Sequence, residues 1–433
     1  MHVTTPELEL KNKLTHLNPS SSEVSELLVQ FRNNCQRSLF SSLDSAVYAP
    51  LESNLWRLGF YLPIQSLKSQ YPADLVPFIT ASISYYSHTL LPMVLSELDT
   101  PSLSSFIPPP SLPSPNSRLG RALFYAHRFC VVLGDLERYL YLHQTSINPN
   151  SNPNLDSSLQ WYLLACRVNP FMGAGFNNLA VLSLLQKDAL SCLFYYTRSL
   201  SSEKVFENSR NNLTRLVGTV MEPYKGKDLT ELVDSVNSMS LLIDLLFIIV
   251  GGFTSEVSGF NTKFFNDFLR NNLGVFEFTD EVVFKITLIC LYCLHNNISE
   301  EFCMELFSFF MSRKQKMFSI AQYLFCLACC SNCFNAQSII RDCRDFSTSF
   351  ISNFDRLSGD KNGSSLDGTR VTGISYLSDM TQKFNLTGEN FNTFDGLFSV
   401  CLELSGSQGE SSSDTSSDDD LIEGFTSFFV AKT

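Results

Sequence analysis

Apolar residues recur at three- and four-residue intervals along most of this chain, a spacing that predicts helices almost throughout. Leu27, Leu28, Phe31, Cys35 and Leu39 follow one another in this way after a capping-box start over Pro19–Glu23. A second helix runs through Leu55, Trp56, Phe60 and Leu67, with a kink or early break expected at Pro63. A third extends from about Ala73 to Leu98. Residues 100–117 are rich in Pro and Ser, including Pro108-Pro109-Pro110, and read as a surface loop.

From Ser117 the pattern becomes one of helical hairpins, with Gly134-Asp135 placed in a small-residue turn between two helices and Ala165 to Pro170 closing the second. An insertion rich in Asn, Ser and Pro spans His143 to Asp156. In the next hairpin, Phe176, Leu179 and Ala180 followed by Cys192, Tyr196 and Ser199 show the small/large alternation of a tetratricopeptide repeat. Further apolar helices are predicted at Leu232 to Val250, Phe260 to Leu273, Glu281 to Leu294, Glu300 to Phe310 and Ala321 to Phe334. The expected class is all-α: a repeat-like domain over residues 1–222, a helical-hairpin domain over 223–352, a linker over 353–373, a short segment over 374–404 and a disordered acidic tail over 405–433.

The 433 residues are 44% hydrophobic and include 37 Phe, enough for two or three domains with cores of their own. The formal charge is −12, of which the last 33 residues, with seven acids and one Lys, supply −6. The body is therefore only mildly acidic, which argues against a broad nucleic-acid surface while leaving room for a local basic pocket. The 13 Cys sit among apolar neighbours and read as free buried thiols in a reducing compartment, cytosolic or nuclear. The start of the chain has no secretory pattern, and the longest apolar run, Leu241 to Phe253, is too short to span a bilayer.

Candidate chemistry concentrates in two places. Gly134-Asp135-Leu136-Glu137-Arg138-Tyr139 and Asn177-Asn178 present an Arg, a Tyr and an Asn to one concave surface, a set suited to holding a phosphate through a guanidinium fork, a phenol and a side-chain amide. The same Arg138 also has acids such as Glu137 beside it for plain ion pairing. Cys326, Cys329, Cys330 and Cys333, and Cys290 and Cys293 near His295, have zinc-like spacing, but they lie on apolar helices and read as core. No nucleophile elbow, metal cluster or cofactor motif appears, so the chain reads as a non-enzyme without cofactors. In the tail, Ser411, Thr415, Ser416 and Ser417 stand three residues before acids, as acid-directed kinases require.

The ordered blocks His127-Arg128-Phe129-Cys130, Leu133 to Tyr139, Trp161-Tyr162 to Phe171, Asn178 to Leu182, Tyr195 to Leu200 and Asn211-Asn212-Leu213 resemble the Smg adaptors of nonsense-mediated mRNA decay, a family that includes the ever-shorter-telomere subunit of telomerase. The resemblance runs from about Leu55 to Val217 and more faintly to His295. It implies a 14-3-3-like fold fused to helical hairpins, with a pocket for phosphoserine. Carried over, Arg138 and Tyr139 match the phosphate-binding pair and Asn178 the amide that holds the ligand backbone, with Asn177 and Arg57 as further contributors. Tyr61 stands where a basic residue is expected, and Lys68, two turns on, is placed to supply the second charge. No nuclease-like domain fits after Phe350, so the chain looks most like the adaptor that lacks one. The implied partners are the phosphorylated RNA helicase of the decay pathway, recognised at Ser-Gln sites, a related Smg protein as a heterodimer, and phosphatase or decay factors. The alternatives are a telomerase-associated RNA or telomeric-DNA binder and a repeat scaffold without phosphate specificity.

Overall fold

The computed structural model describes residues 10–306 apart from 11, 15–17, 42–44, 108, 110–111, 149–153, 230–237, 273–279, 300 and 304. The Cys326–Cys333 cluster, the linker and short segment expected after Phe350, and the acidic tail with Ser411, Thr415, Ser416 and Ser417 lie outside the described residues. Every named element within them is helical.

Helix α1 (Ser22–Ser41) turns Val24, Leu28, Phe31, Cys35 and Leu39 inward, the stripe its spacing predicts. Helix α2 (Ser45–Trp56) continues through a widened π-turn, Arg57–Tyr61, into α3 (Leu62–Gln70) without leaving helical geometry. Pro63 falls in the first turn of α3, where its missing N–H costs little, so the expected break becomes a change of register. Arg32 of α1 reaches across to this turn and donates Nε and Nη2 to the Gly59 carbonyl oxygen at 3.1 and 2.6 Å. Its guanidinium lies 4.0 Å above the Phe60 ring, and burial brings its pKa down to about 10. The third expected helix is α4 (Pro72–Tyr85) and α5 (Leu91–Leu98), joined by a second π-turn, Tyr86–Leu90.

Helix α6 (Arg118–Ile147) spans 30 residues and begins where Ser117 Oγ accepts the Gly120 N–H at 2.9 Å. Gly134-Asp135 lies in its middle, which corrects the turn expected there. A Cβ at Gly134 would stand 2.4 Å from the Tyr162 ring, and Ser158 Oγ donates to the Gly134 carbonyl at 2.8 Å. The small residue therefore marks a close crossing of two helices, a need that looks the same as a turn in sequence. Helices α7 (Asp156–Val168), α8 (Gly173–Leu185) and α9 (Ala189–Leu200) follow as hairpins, the last turning through Lys187 at φ 61° with Asp188 as the cap. Then come α10 (Asn208–Met221), α11 (Ser238–Gly251), α12 (Thr262–Asn272) and α13 (Asp280–His295).

Two large cores hold these helices. One gathers α1 to α7 around Phe60, Tyr86, Tyr125 and Phe129. The other runs from Ala180 through Leu245, Phe247, Phe265 and Ile289 to Leu306 and contains Cys290 and Cys293, so these two thiols pack as core. A small cluster of Tyr162, Phe176, Leu179 and Leu182 sits where α7 meets α8. No described helix is long and apolar enough to cross a membrane.

Polar groups buried on α6 set the acid sensitivity of the first core. Arg128 Nε pairs with Glu52 at 2.9 Å. His127, fully enclosed, donates Nδ1–H to the Ala165 carbonyl at 3.2 Å, while its Nε2 has no partner among the described residues. Burial drives its pKa down to about 4 from 6.5, so the folded state holds the ring neutral. The unfolded chain takes up the proton first as pH falls. Stability is therefore intact above pH 6.5 and is lost towards pH 4 at about 1.4 kcal/mol per unit. Replacing His127 by Phe should flatten the urea-unfolding free energy between pH 6.5 and 5 by about 1–2 kcal/mol relative to wild type; parallel pH profiles would contradict this assignment.

Candidate functional site

The small residue at Gly134 lets the Tyr162 ring slide over α6, and the phenol arrives beside two charged side chains of that helix. Tyr162 Oη donates to Asp135 Oδ1 at 2.6 Å, and the same oxygen accepts from Arg138 Nη2 at 2.7 Å and from Asn178 Nδ2 at 3.2 Å. Arg138 Nε donates to Tyr162 Oη at 3.1 Å. Thus α6, α7 and α8 each contribute a polar group to one carboxylate. The i, i+3 spacing places Asp135 and Arg138 on the same face of α6.

Arg138 is 3% exposed, yet it keeps its charge: burial opposes ionisation, and Tyr162 and Asp135 more than offset it, raising the pKa well above the ordinary value. Burial, helped by Asp135, likewise raises the phenols of Tyr61 and Tyr139, so both stay protonated and remain donors. The Arg138 guanidinium also lies 5.1 Å from the centre of the Tyr139 ring.

In front of this cluster a cavity of about 750 Å3 opens between α3, α4, α6 and α8. Tyr61, Lys68, Arg138, Tyr139 and His143 line it, together with apolar side chains such as Ile64, Leu142 and Val181. Lys68 closes the last turn of α3, where partial burial lowers its pKa. None of the described lining residues is acidic, since Asp135 stands behind Arg138. The π-turn, which ends at Tyr61, helps set this wall, because an added residue in a helical turn rotates everything after it, Lys68 included.

Four of the residues singled out from sequence, Tyr61, Lys68, Arg138 and Tyr139, meet on this wall. Asn178 does not line the cavity and bonds the carboxylate behind it. Asn177 is buried beside it, donating to Asn178 Oδ1 at 3.1 Å and accepting from Ser209 and Asn212 of α10. Arg57 opens the π-turn, is exposed and lies outside the lining. Sequence reasoning missed the central carboxylate, although an acid three residues before an Arg is a readable sign, and it missed His143, which the structure places within α6 and not in an insertion.

The described fold is an all-helical stack of hairpins with a cation-walled groove. A family model described as "Est1 DNA/RNA binding domain" matches residues 158–358. The chain is 34% identical over 96 residues to the nonsense-mediated mRNA decay factor SMG7-like of Arabidopsis thaliana, covering 22% of this chain and 11% of that relative. It is 25% identical over 242 residues to the nonsense-mediated mRNA decay factor SMG7 of Danio rerio, covering 49% and 19%. The aligned parts are thus a tenth to a fifth of these relatives' length. Among solved structures, "Crystal structure of Est1 and Cdc13" superposes with a TM-score of 0.59 at 11% identity, covering 91% of this chain and 89% of that one, a likeness of fold. Residues 158–358 thus match the Est1 DNA/RNA binding domain, and the chain is similar in sequence to SMG7-like, SMG7 and SMG5 decay factors over 22% to 50% of its length.

The geometry makes Arg138→Glu a test of folding first, because it would bury a second acid against Asp135. It should lower stability by about 3–5 kcal/mol in urea unfolding, and Tyr162→Phe, which strips one donor from Asp135 and one acceptor from Arg138, by about 1–3 kcal/mol. An Arg138→Glu protein as stable as wild type would show that the cluster contributes nothing to the fold.

Proposed function

We propose that this chain is a non-enzymatic adaptor of nonsense-mediated mRNA decay whose cavity takes a phosphoserine from a partner, the phosphorylated helicase of that pathway in the cytoplasm, and so brings decay factors to it. The observation that carries the reading is the convergence of Arg138, Tyr139, Tyr61 and Lys68 on one acid-free wall. A phosphate is held by donors and cations, and a guanidinium already oriented by Asp135 and Tyr162 loses little freedom when it binds one. Phenols raised above their ordinary pKa serve as donors at any physiological pH. A related Smg protein fits as a second partner by family kinship.

A second reading, RNA or telomeric-DNA binding, is favoured by the description of the family model that spans residues 158–358. The two readings differ in what the salt concentration and the phosphate group do. Fluorescence anisotropy with the whole chain and a labelled Ser-Gln peptide, phosphorylated or not, separates them. The phosphopeptide should bind at least tenfold tighter than its unphosphorylated form, and Lys68→Glu should remove most of that difference, since a rim cation and its reversal act on the phosphate charge. Equal binding of both peptides would overturn the phosphate reading. Binding of single-stranded RNA that falls steeply with salt, without any preference for the phosphopeptide, would favour the nucleic-acid reading instead.

A further inference from the structure

Charge balance around the cavity is incomplete at neutral pH. Among the described residues that line it, Arg138 and Lys68 are permanent cations, but Arg138 is paired at 2.7 Å with Asp135, so the cluster as a whole carries a net charge near +1. A phosphoserine brings about −1.5 to −2. Tyr61 on the same wall adds no charge, because its raised phenol stays neutral. One further titratable base faces the same space. His143 lines the cavity from α6, four residues and one turn after Tyr139, half-buried, and its imidazole makes no hydrogen bond or ion pair among the described residues. Its backbone carbonyl, in contrast, accepts from Ser146 Oγ at 2.7 Å.

We propose, resting on the phosphate reading, that protonated His143 is a third cation of the phosphate site, beside Arg138 and Lys68. The groups that face it across the cavity are Lys68 and Tyr61 from α3 and the π-turn before it and Arg138 and Tyr139 from α6 itself; the contributions of α4 and α8 to the wall, among them Pro72, Leu75, Val181 and Leu185, carry no titratable group. A dianion arriving among them favours the charged imidazole, and by linkage the charged imidazole favours the dianion. Capture of the phosphate then takes up a proton, and affinity becomes dependent on pH.

The phosphate monoester also titrates near pH 6, losing charge as the pH falls, so the decisive quantity is the ratio of wild type to variants on one peptide. Anisotropy would be read from pH 7.5 to 6.0 with the whole chain and a labelled phosphoserine peptide free of His, with inorganic phosphate as competitor. Wild type should gain about fivefold over His143→Gln across that interval, and His143→Lys should hold that gain at pH 7.5 with no further rise. Circular dichroism checks that the variants keep their helix content. Parallel pH profiles for wild type and His143→Gln, with the phosphopeptide still preferred over its unphosphorylated form, would overturn the role of His143 and leave the phosphate reading standing. Loss of the preference in the wild type at every pH would overturn both.

Discussion

One carboxylate ties together the helices that wall the cavity. Asp135 Oδ1 accepts hydrogen bonds from Arg138, Tyr162 and Asn178, and those side chains come from three successive helices. A guanidinium that is 3% exposed would be intolerable without such an arrangement, because an unpaired buried charge costs several kcal/mol. The same network fixes the crossing of α6 over α7, with Gly134 granting the close approach and Ser158 tying its carbonyl. The cavity is a consequence: once α6, α7 and α8 are locked at this point, the wall carrying Arg138 and Tyr139 faces α3 at a set distance from Lys68.

The second fixed point is the π-turn between α2 and α3. Arg32 from α1 holds the Gly59 carbonyl and stacks on Phe60, so α1 stabilises the irregular turn that ends at Tyr61 and leads to Lys68. The wall of the cavity therefore depends on residues far apart in the chain. The family match at residues 158–358 includes Tyr162 and Asn178 but begins after Lys68, Asp135 and Arg138. Any ligand held here would bridge the matched region and the helices before it.

Much of this was legible in the chain itself. Helical spacing predicted the buried stripe of α1, the hairpin of α8 and α9, and the position of α12 and α13 within two or three residues, because apolar periodicity follows directly from which face meets the core. The ordered blocks around Arg138 and Asn178 carried the resemblance to the Smg adaptors, and sequence similarity to SMG7 and SMG5 decay factors agrees with it. What the sequence could not show were choices made by tertiary packing. Gly134 serves a crossing in place of a turn, and Pro63 is absorbed by a π-turn. Arg138 meets both readings at once, pairing with an acid on its own helix while lining a cavity. His143, at the edge of a Pro- and Asn-rich stretch, belongs to α6 because that helix runs on to Ile147. Asn177 and Asn178 are adjacent and bonded to each other, yet Asn178 reaches Asp135 while Asn177 reaches Ser209 and Asn212, because successive helical positions point about 100° apart.

Whether the groove between α3 and α6 receives a phosphate at Arg138 is tested most directly by a crystal structure of the whole chain with a phosphoserine peptide bound. Phosphate oxygens should lie within about 3 Å of the Arg138 guanidinium and the Tyr139 hydroxyl, with Lys68 turned towards them and Asp135 still holding the far edge of the fork. A phosphate bound elsewhere on the surface, with the Arg138–Asp135 pair untouched and the cavity empty, would contradict this placement.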